Sequence, residues 1–375
     1  MKYYLNLILI CVCAQLFSQE QTSQLSATII GSGSPKYNTE RSGPSVLISY
    51  QDTKILVDMG NGTQANLDKI DVNFKAIDGL LFTHHHLDHN EEFVPIFIKS
   101  LLGGNTFVIA GPEPTTAFVE STLTIYEKDI NYRLAKSKRT LDDVKSKFTI
   151  KELNGSEAFT IGEIKVSSVN VNHTIETVAY RFEAGGKSIV VSGDLTYSES
   201  LPVLAKNVDY LIIDSGGAVA MGSKVKTNST RTNGSKKERA HVNLSESSLM
   251  AKEANAKHLI LTHFTATTID EEATTAELRK NYAGDISYAH DLMTIPYDEN
   301  ITSKLEATVS TKSLNMSTNS SKSALSFTKM LSRMDANNDG KLSKDEAKGK
   351  LKTNFDKRDK NKDGYITTDE FKGNH

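Results

Sequence analysis

Between Ala27 and Tyr297 short apolar, β-branched runs alternate with stretches of helical periodicity. The runs Ser45–Ser49, Lys54–Val57, Gly79–Phe82, Thr106–Ile109, Glu163–Val171, Val178–Phe182, Ser188–Val191, Tyr210–Ile213 and His258–Leu261 read as strands. Apolar positions at helical spacing predict helices over Leu244–Asn255 and Asp270–Asn281. Several early strands follow one another with no helical stretch between them. That order predicts an α/β fold in which sheet packs on sheet and helices cover the outside.

The two ends of the chain follow other patterns. Lys2 precedes an apolar run from Leu5 to Phe17, which stops at Ser18 before polar Gln19-Glu20-Gln21. This is the plan of a signal peptide over residues 1–18, too short to span a membrane comfortably. A buried N-terminal strand and a lipoprotein leader are the competing readings. Lys2 and the abrupt polar switch favour export, and bulky Ile10 and Val12 before Cys11 and Cys13 disfavour lipid attachment. The chain has only these two cysteines. A mature protein without the leader has none, which excludes disulfides, thiolate ligation and a cysteine nucleophile. Overall charge is balanced, with Lys+Arg 44 against Asp+Glu 46, so nothing in it points to nucleic acid or a membrane surface. After a catalytic domain over residues 24–298, residues 299–323 are rich in Ser, Thr, Asn and Lys and read as a linker.

Residues 324–375 carry a repeat. Asp335-Ala-Asn-Asn-Asp-Gly-Lys-Leu-Ser-Lys-Asp-Glu346 recurs as Asp359-Lys-Asn-Lys-Asp-Gly-Tyr-Ile-Thr-Thr-Asp-Glu370. Both fit the calcium loop of an EF-hand. Asp335, Asn337, Asp339, Ser343 and Glu346 supply side-chain oxygens in the first loop and Lys341 a carbonyl. Asp359, Asn361, Asp363, Thr367 and Glu370 do so in the second, with Tyr365 giving the carbonyl. Gly340 and Gly364 permit the sharp turn, and Leu342 and Ile366 are placed to pair between loops. The expected cofactor is two calcium ions in a small all-α pair. The short spacing is also similar to dockerin modules, so a calcium-dependent protein partner and a purely structural role stay open.

The strongest chemical signal is Thr83-His-His-His-Leu-Asp-His89. Imidazole and carboxylate suit zinc, and alternate residues on an extended segment point to one side. His84 and His86 can therefore share one ion, while Asp88 and His89, after a turn, face a second. A polar surface loop would not need four ligand types at this spacing. Three more apolar strands end in ligand types, at His173, Asp194 and His263. Open sheets gather their sites at such carboxyl ends.

The order His-x-His-x-Asp-His, then His173, Asp194 and His263, resembles the metallo-β-lactamase superfamily. Arg41-Ser-Gly-Pro-Ser-Val-Leu, Leu56-Val-Asp-Met-Gly-Asn-Gly, Ser192-Gly-Asp-Leu and Leu261-Thr-His-Phe are similar to the branch holding ribonuclease Z, related phosphodiesterases and zinc-dependent arylsulfatases. The resemblance implies an αββα sandwich, two zinc ions and usually a homodimer. It implies that His84, His86 and His173 hold one zinc, that Asp88, His89 and His263 hold the other, and that Asp194 bridges them. It also implies a catalytic role for His241, in Ala240-His-Val-Asn-Leu-Ser-Glu-Ser, where a surface histidine at a helix start is the plainer reading. A long arm for tRNA is not recognisable, and a signal peptide would separate the protein from tRNA precursors. The loop Ser223–Ala240 carries Lys224, Lys226, Arg231, Lys236, Lys237 and Arg239 against Glu238, either a solvated loop or an anion-attracting rim.

The expected activity is hydrolysis of a small anionic phosphodiester by water activated between two zinc ions, with Asp88, Asp194 and His241 as catalytic residues. A sulfate-ester hydrolase with the same centre, a lactonase, and a calcium-dependent binding protein with a vestigial zinc core are the alternatives.

Overall fold

The computed structural model describes residues 24–223, 239–296, 331, 334–337, 339–367 and 370. The expected signal peptide, the linker and the loop from Lys224 to Glu238 lie outside the described residues. Among the described residues the chain forms one compact unit from the segments up to Gln64 and from Asn73 to Pro296. A second unit holds Ala65–Val72 and the C-terminal segment.

Two seven-stranded sheets make the first unit. The first contains β1 (Ser26–Gly31), β2 (Ser45–Tyr50), β3 (Thr53–Val57), β4 (Gly79–Leu81), β5 (Phe107–Pro112) and β6 (Phe148–Leu153), and β14 (Thr294–Ile295) closes it beside β1. The second runs in sequence from β7 (Glu157–Ile161) through β8 (Ile164–Val171), β9 (Thr177–Ala184), β10 (Lys187–Val191), β11 (Tyr210–Asp214) and β12 (His258–Thr262) to β13 (Asp285–Tyr288). Both follow one plan. Antiparallel pairing at the start gives way to parallel pairing, from β3 onward in one sheet and from β10 onward in the other.

Residue choice explains the layers. In β8 burial alternates from Ile164 to Ser168, as a strand with one wet face requires. In β10, β11 and β12 nearly every residue is buried, the mark of parallel strands covered on both faces. Val46, Ile48 and Val57 of one sheet and Val166, Phe182 and Ile189 of the other share one core. Tyr180 of β9 donates its hydroxyl to the Phe82 carbonyl at 2.7 Å, a polar bond across that core. The helices are α1 (Thr63–Lys69), α2 (Leu87–Asn90), α3 (Phe93–Gly103), α4 (Thr115–Ala135), α5 (Leu141–Lys145), α6 (Ser200–Leu204), α7 (Leu244–Glu253) and α8 (Glu271–Leu278). Leu201 of α6, Leu244 and Met250 of α7 and Leu278 of α8 pack into the shared core. Asn243 and Glu246 form a reciprocal capping box at the start of α7, which fixes the chain entering from His241. None of the described helices is long and apolar enough to cross a membrane.

In the second unit Leu342–Ser343 pairs antiparallel with Tyr365–Ile366, joining the two repeat loops as position eight of each loop predicts. Leu342, Ala347, Leu351, Phe355 and Ile366 form a small core of their own.

Candidate metal centre

Strand ends build the site. Asp58 follows β3, the segment 83–89 follows β4, His173 follows β8, Asp194 follows β10, Asp214 closes β11 and His263 follows β12. Three of these ends turn through the left-handed region, at Asp58 (φ 58°), Gly193 (φ 63°) and His263 (φ 63°). The turns break strand alternation and redirect the side chains that follow or sit there.

Two groups of donors hold the seven ligand candidates, and a third, Asp194, Asp214, His241 and His263, overlaps them. In the first, His84 Nε2 lies 3.1 Å from His86 Nδ1, His173 Nε2 lies 3.2 Å from the same atom, and Asp194 Oδ2 is 3.8 Å from His84 Nε2. In the second, His89 Nε2 is 3.5 Å from Asp88 Oδ2 and 3.5 Å from Asp194 Oδ2. His263 Nε2 is 3.4 Å from Asp88 Oδ2 and 3.4 Å from Asp194 Oδ1. Asp194 is common to both. All seven zinc-ligand candidates thus fall in one cluster, with His241 at its edge.

The opposite ring nitrogens are engaged by partners that set their protons. Asp58 accepts from the Thr83 amide at 2.8 Å, the Thr83 hydroxyl at 2.7 Å and His89 Nδ1 at 2.8 Å. The Thr83 oxygen, having given its proton to Asp58, accepts from His84 Nδ1 at 3.0 Å. His173 Nδ1 donates to the Ala240 carbonyl at 2.7 Å, and His86 Nε2 donates to the Thr174 hydroxyl oxygen at 3.3 Å. Each bond turns the ring's other nitrogen inward, the arrangement that orients metal-binding histidines.

Electrostatics divide the site. Burial holds the His84, His86 and His173 imidazoles below their ordinary range, so these three rings are neutral beside the Asp194 carboxylate. Around the second group burial opposes charge, yet it is outweighed. The Asp194 and Asp58 carboxylates raise His89, and neighbouring His263 and His89 hold Asp194 well below the usual carboxylate range. His241 donates Nδ1 to Asp214 Oδ2 at 2.7 Å. Burial works against its protonation, but that bond and the Asp214 charge push it up to about 9.

Do these residues fit a metal? The nearest-neighbour donor separations of 3.1–3.5 Å match the edge of a tetrahedron with bonds of about 2.0–2.1 Å, roughly 3.3 Å. Three lone pairs facing one another at such distances repel unless a cation lies between them. Among the described residues, His89 Nε2 is buried with no hydrogen-bond partner. Nitrogen and carboxylate donors together suit a borderline dication in each group.

Residues 25–216, just over half of the chain, match the family described as Anti-Pycsar protein Apyc1. The chain belongs to that family. Ribonuclease Z of Mycobacterium bovis (strain BCG / Pasteur 1173P2) is 29% identical over 195 residues, covering 50% of this chain and 69% of that protein. Ribonuclease Z of Methanopyrus kandleri is 31% identical over 162 residues, 43% of this chain and 50% of that one. Among solved structures, the metallo-β-lactamase fold protein YhfI of Bacillus subtilis aligns with a TM-score of 0.54 at 19% identity, covering 72% of this chain and 98% of its own. The short form of human tRNase Z aligns at 0.52 with 20% identity and the same coverage. The fold is the metallo-β-lactamase sandwich. The C-terminal segment matches the EF-hand family over residues 329–346 and 351–373.

Sequence reading overlooked Asp58 and Asp214. Each ends an apolar strand in a carboxylate, the signal that found Asp194. Gly216 matters beside Asp214, since a Cβ there would come within 2.3 Å of the Val242 carbonyl oxygen and 2.9 Å of His241 Cβ. The missing side chain lets the His241 segment reach Asp214.

In the repeats, Asp335 Oδ2 accepts from the Gly340 amide at 2.9 Å and Asp359 Oδ2 from the Gly364 amide at 3.0 Å. Glu346 Oε2 accepts from Ser343 at 3.0 and 2.7 Å, and Glu370 Oε2 from Thr367 at 3.0 and 3.0 Å. Gly340 (φ 78°) and Gly364 (φ 85°) adopt the left-handed turn expected of them. The two loops are internally equivalent, with oxygen-rich sides suited to calcium.

Proposed function

We propose that this chain is an exported phosphodiesterase that works through two zinc ions. The observation that carries the reading is the pair of donor groups joined at Asp194, flanked by the Asp214–His241 pair. His84, His86 and His173 would hold one ion, Asp88, His89 and His263 the other, and Asp194 both. Bound there, the ions would supply Lewis acidity toward phosphoryl oxygens and a water acidified to near neutral pH. The protein's own part is geometric and protonic. Asp58, Thr83 and Ala240 fix the ligand rings. Asp214 fixes the Nδ1 proton of His241, so Nε2 is the atom that can give a proton to a departing alkoxide or neutralise charge on it. Ribonuclease Z relatives, phosphodiester hydrolases by name, support the ester class.

The test is a panel of chromogenic phosphodiester, sulfate-ester, lactone and β-lactam substrates with the purified protein. Phosphodiester turnover should be strongest, should vanish with a chelator and should return with zinc. Preference for a neutral lactone, or full turnover in metal-free protein, would overturn the proposal.

A further inference from the structure

His85 stands between two ligand candidates and belongs to neither group. As strand alternation demands, its ring turns away from the cleft. It sits 4.7 Å from the Phe82 ring and 5.6 Å from the Phe118 ring of α4, centroid to centroid. Its Nε2 lies 2.8 Å from Thr115 Oγ1. Thr115 is fully buried at the start of α4, and its hydroxyl donates to the Pro112 carbonyl at 2.7 Å. The threonine proton is thus committed, so His85 is the donor and Thr115 the acceptor. The close fit of this turn depends on Gly111, where a Cβ would come within 2.5 Å of Thr115 Oγ1.

We propose that His85 is a positioning residue that holds the His84–His86 segment in metal-binding register by anchoring it to the β5–α4 turn. Among the described residues, the backbone amides of His84, His85 and His86 make no hydrogen bond; the main chain is held only through the Thr83 and His86 carbonyls, which accept from the Val178 and His89 amides at 2.9 and 3.1 Å, and side chains supply the rest. Thr83 and His89 are pinned to Asp58 at its two ends. The middle is tied by His85. An aliphatic side chain would fill the same space between Phe82 and Phe118, but it would leave the segment free to slide along that apolar wall. A shift of a few tenths of an ångström there changes the 3.1 Å separation of His84 Nε2 and His86 Nδ1. Bonds that orient ligands in this way are typically worth 10–100-fold in metal affinity.

The inference rests on His84 and His86 being metal ligands, and the test separates the two. Zinc affinity of the full chain is measured by competition with a colorimetric chelator, with melting temperature recorded alongside. If wild-type protein binds no zinc, the metal-centre reading fails and this inference with it. Given wild-type binding, His85→Leu should weaken zinc binding roughly 10–100-fold, and His85→Gln, which keeps a donor near Nε2, should regain most of it. Thr115→Val should match His85→Leu, Thr115→Ser should not, and the double variant should be no worse than either single one. Unchanged affinity in His85→Leu, or additive losses in the double variant, would overturn the proposal. Should His85→Leu fail to fold, wild-type affinity in Thr115→Val would overturn it alone.

Discussion

His241 and His86 lie within one cluster but answer to different chemistry, and single substitutions tell them apart. His241 contributes no donor to either group of the proposed ligand set, so His241→Ala should leave the metal content intact while kcat falls roughly 10²–10⁴-fold. If Nε2 protonates the leaving oxygen, the loss should shrink for nitrophenyl esters, whose leaving group needs little help. An equal loss for good and poor leaving groups would indicate charge stabilisation instead. Metal analysis beside kinetics checks both. His86→Ala, by contrast, should empty the first group, measured as zinc per protein. At this scale the donors were legible because chemistry restricts them to few residue types at fixed spacing. Asp58 and Asp214 were not, although Asp58 lies inside a motif already singled out. Their work is to accept protons from Thr83, His89 and His241, and an acceptor's partners are set by folding rather than by spacing.

At the scale of elements, the nine strands read from the sequence are the inner ones, β2 to β5 and β8 to β12. The strands missed include all four sheet edges, β14, β6, β7 and β13, and β1 beside an edge. Physics accounts for the division. Edges β6, β7 and β13 are half wetted and carry residues such as Lys151, Glu157 and Asp285, which blur an apolar signal, while β14 is buried but only two residues long. Helices α3 and α4 were also missed. In α4 the exposed Ile125 and Tyr132 break the period that would have revealed it. The left-handed strand ends were invisible too, apart from the glycine in Ser192-Gly-Asp. Gly193→Ala tests them. Its Cβ would meet Thr83 Cβ at 2.8 Å in a conformation that disfavours any side chain. We expect a stability loss of roughly 1–3 kcal/mol and reduced zinc content, since Thr83 supports His84. Thermal unfolding and metal analysis together would show it.

On the scale of the whole molecule, two kinds of donor set lie in separate units, oxygen-lined loops in one and imidazole–carboxylate clusters in the other. Glu346→Gln with Glu370→Gln should therefore weaken calcium binding in titration calorimetry and leave zinc content and small-substrate hydrolysis unchanged. Loss of hydrolysis would mean the units are coupled. The assignment of donors to sheets has a mechanical consequence. Each of the two proposed ligand groups takes residues from the segment after β4 in the first sheet and from strand ends of the second, His173 for one and His263 for the other, with Asp194 within 3.8 Å of a ligand atom in both. Every bound ion would therefore act as a clasp across the seam of the sandwich at its open end, whereas the opposite end is joined by apolar packing and the Gln51–Glu163 hydrogen bond of 2.9 Å. Free zinc at a hundredfold excess over Kd should stabilise the fold by about 2.7 kcal/mol per site, read as a rising Tm. Stripped of metal, the protein should gape first at this rim, and hydrogen exchange should quicken in residues 83–89 and around His263 before it reaches β2, β9 or β10.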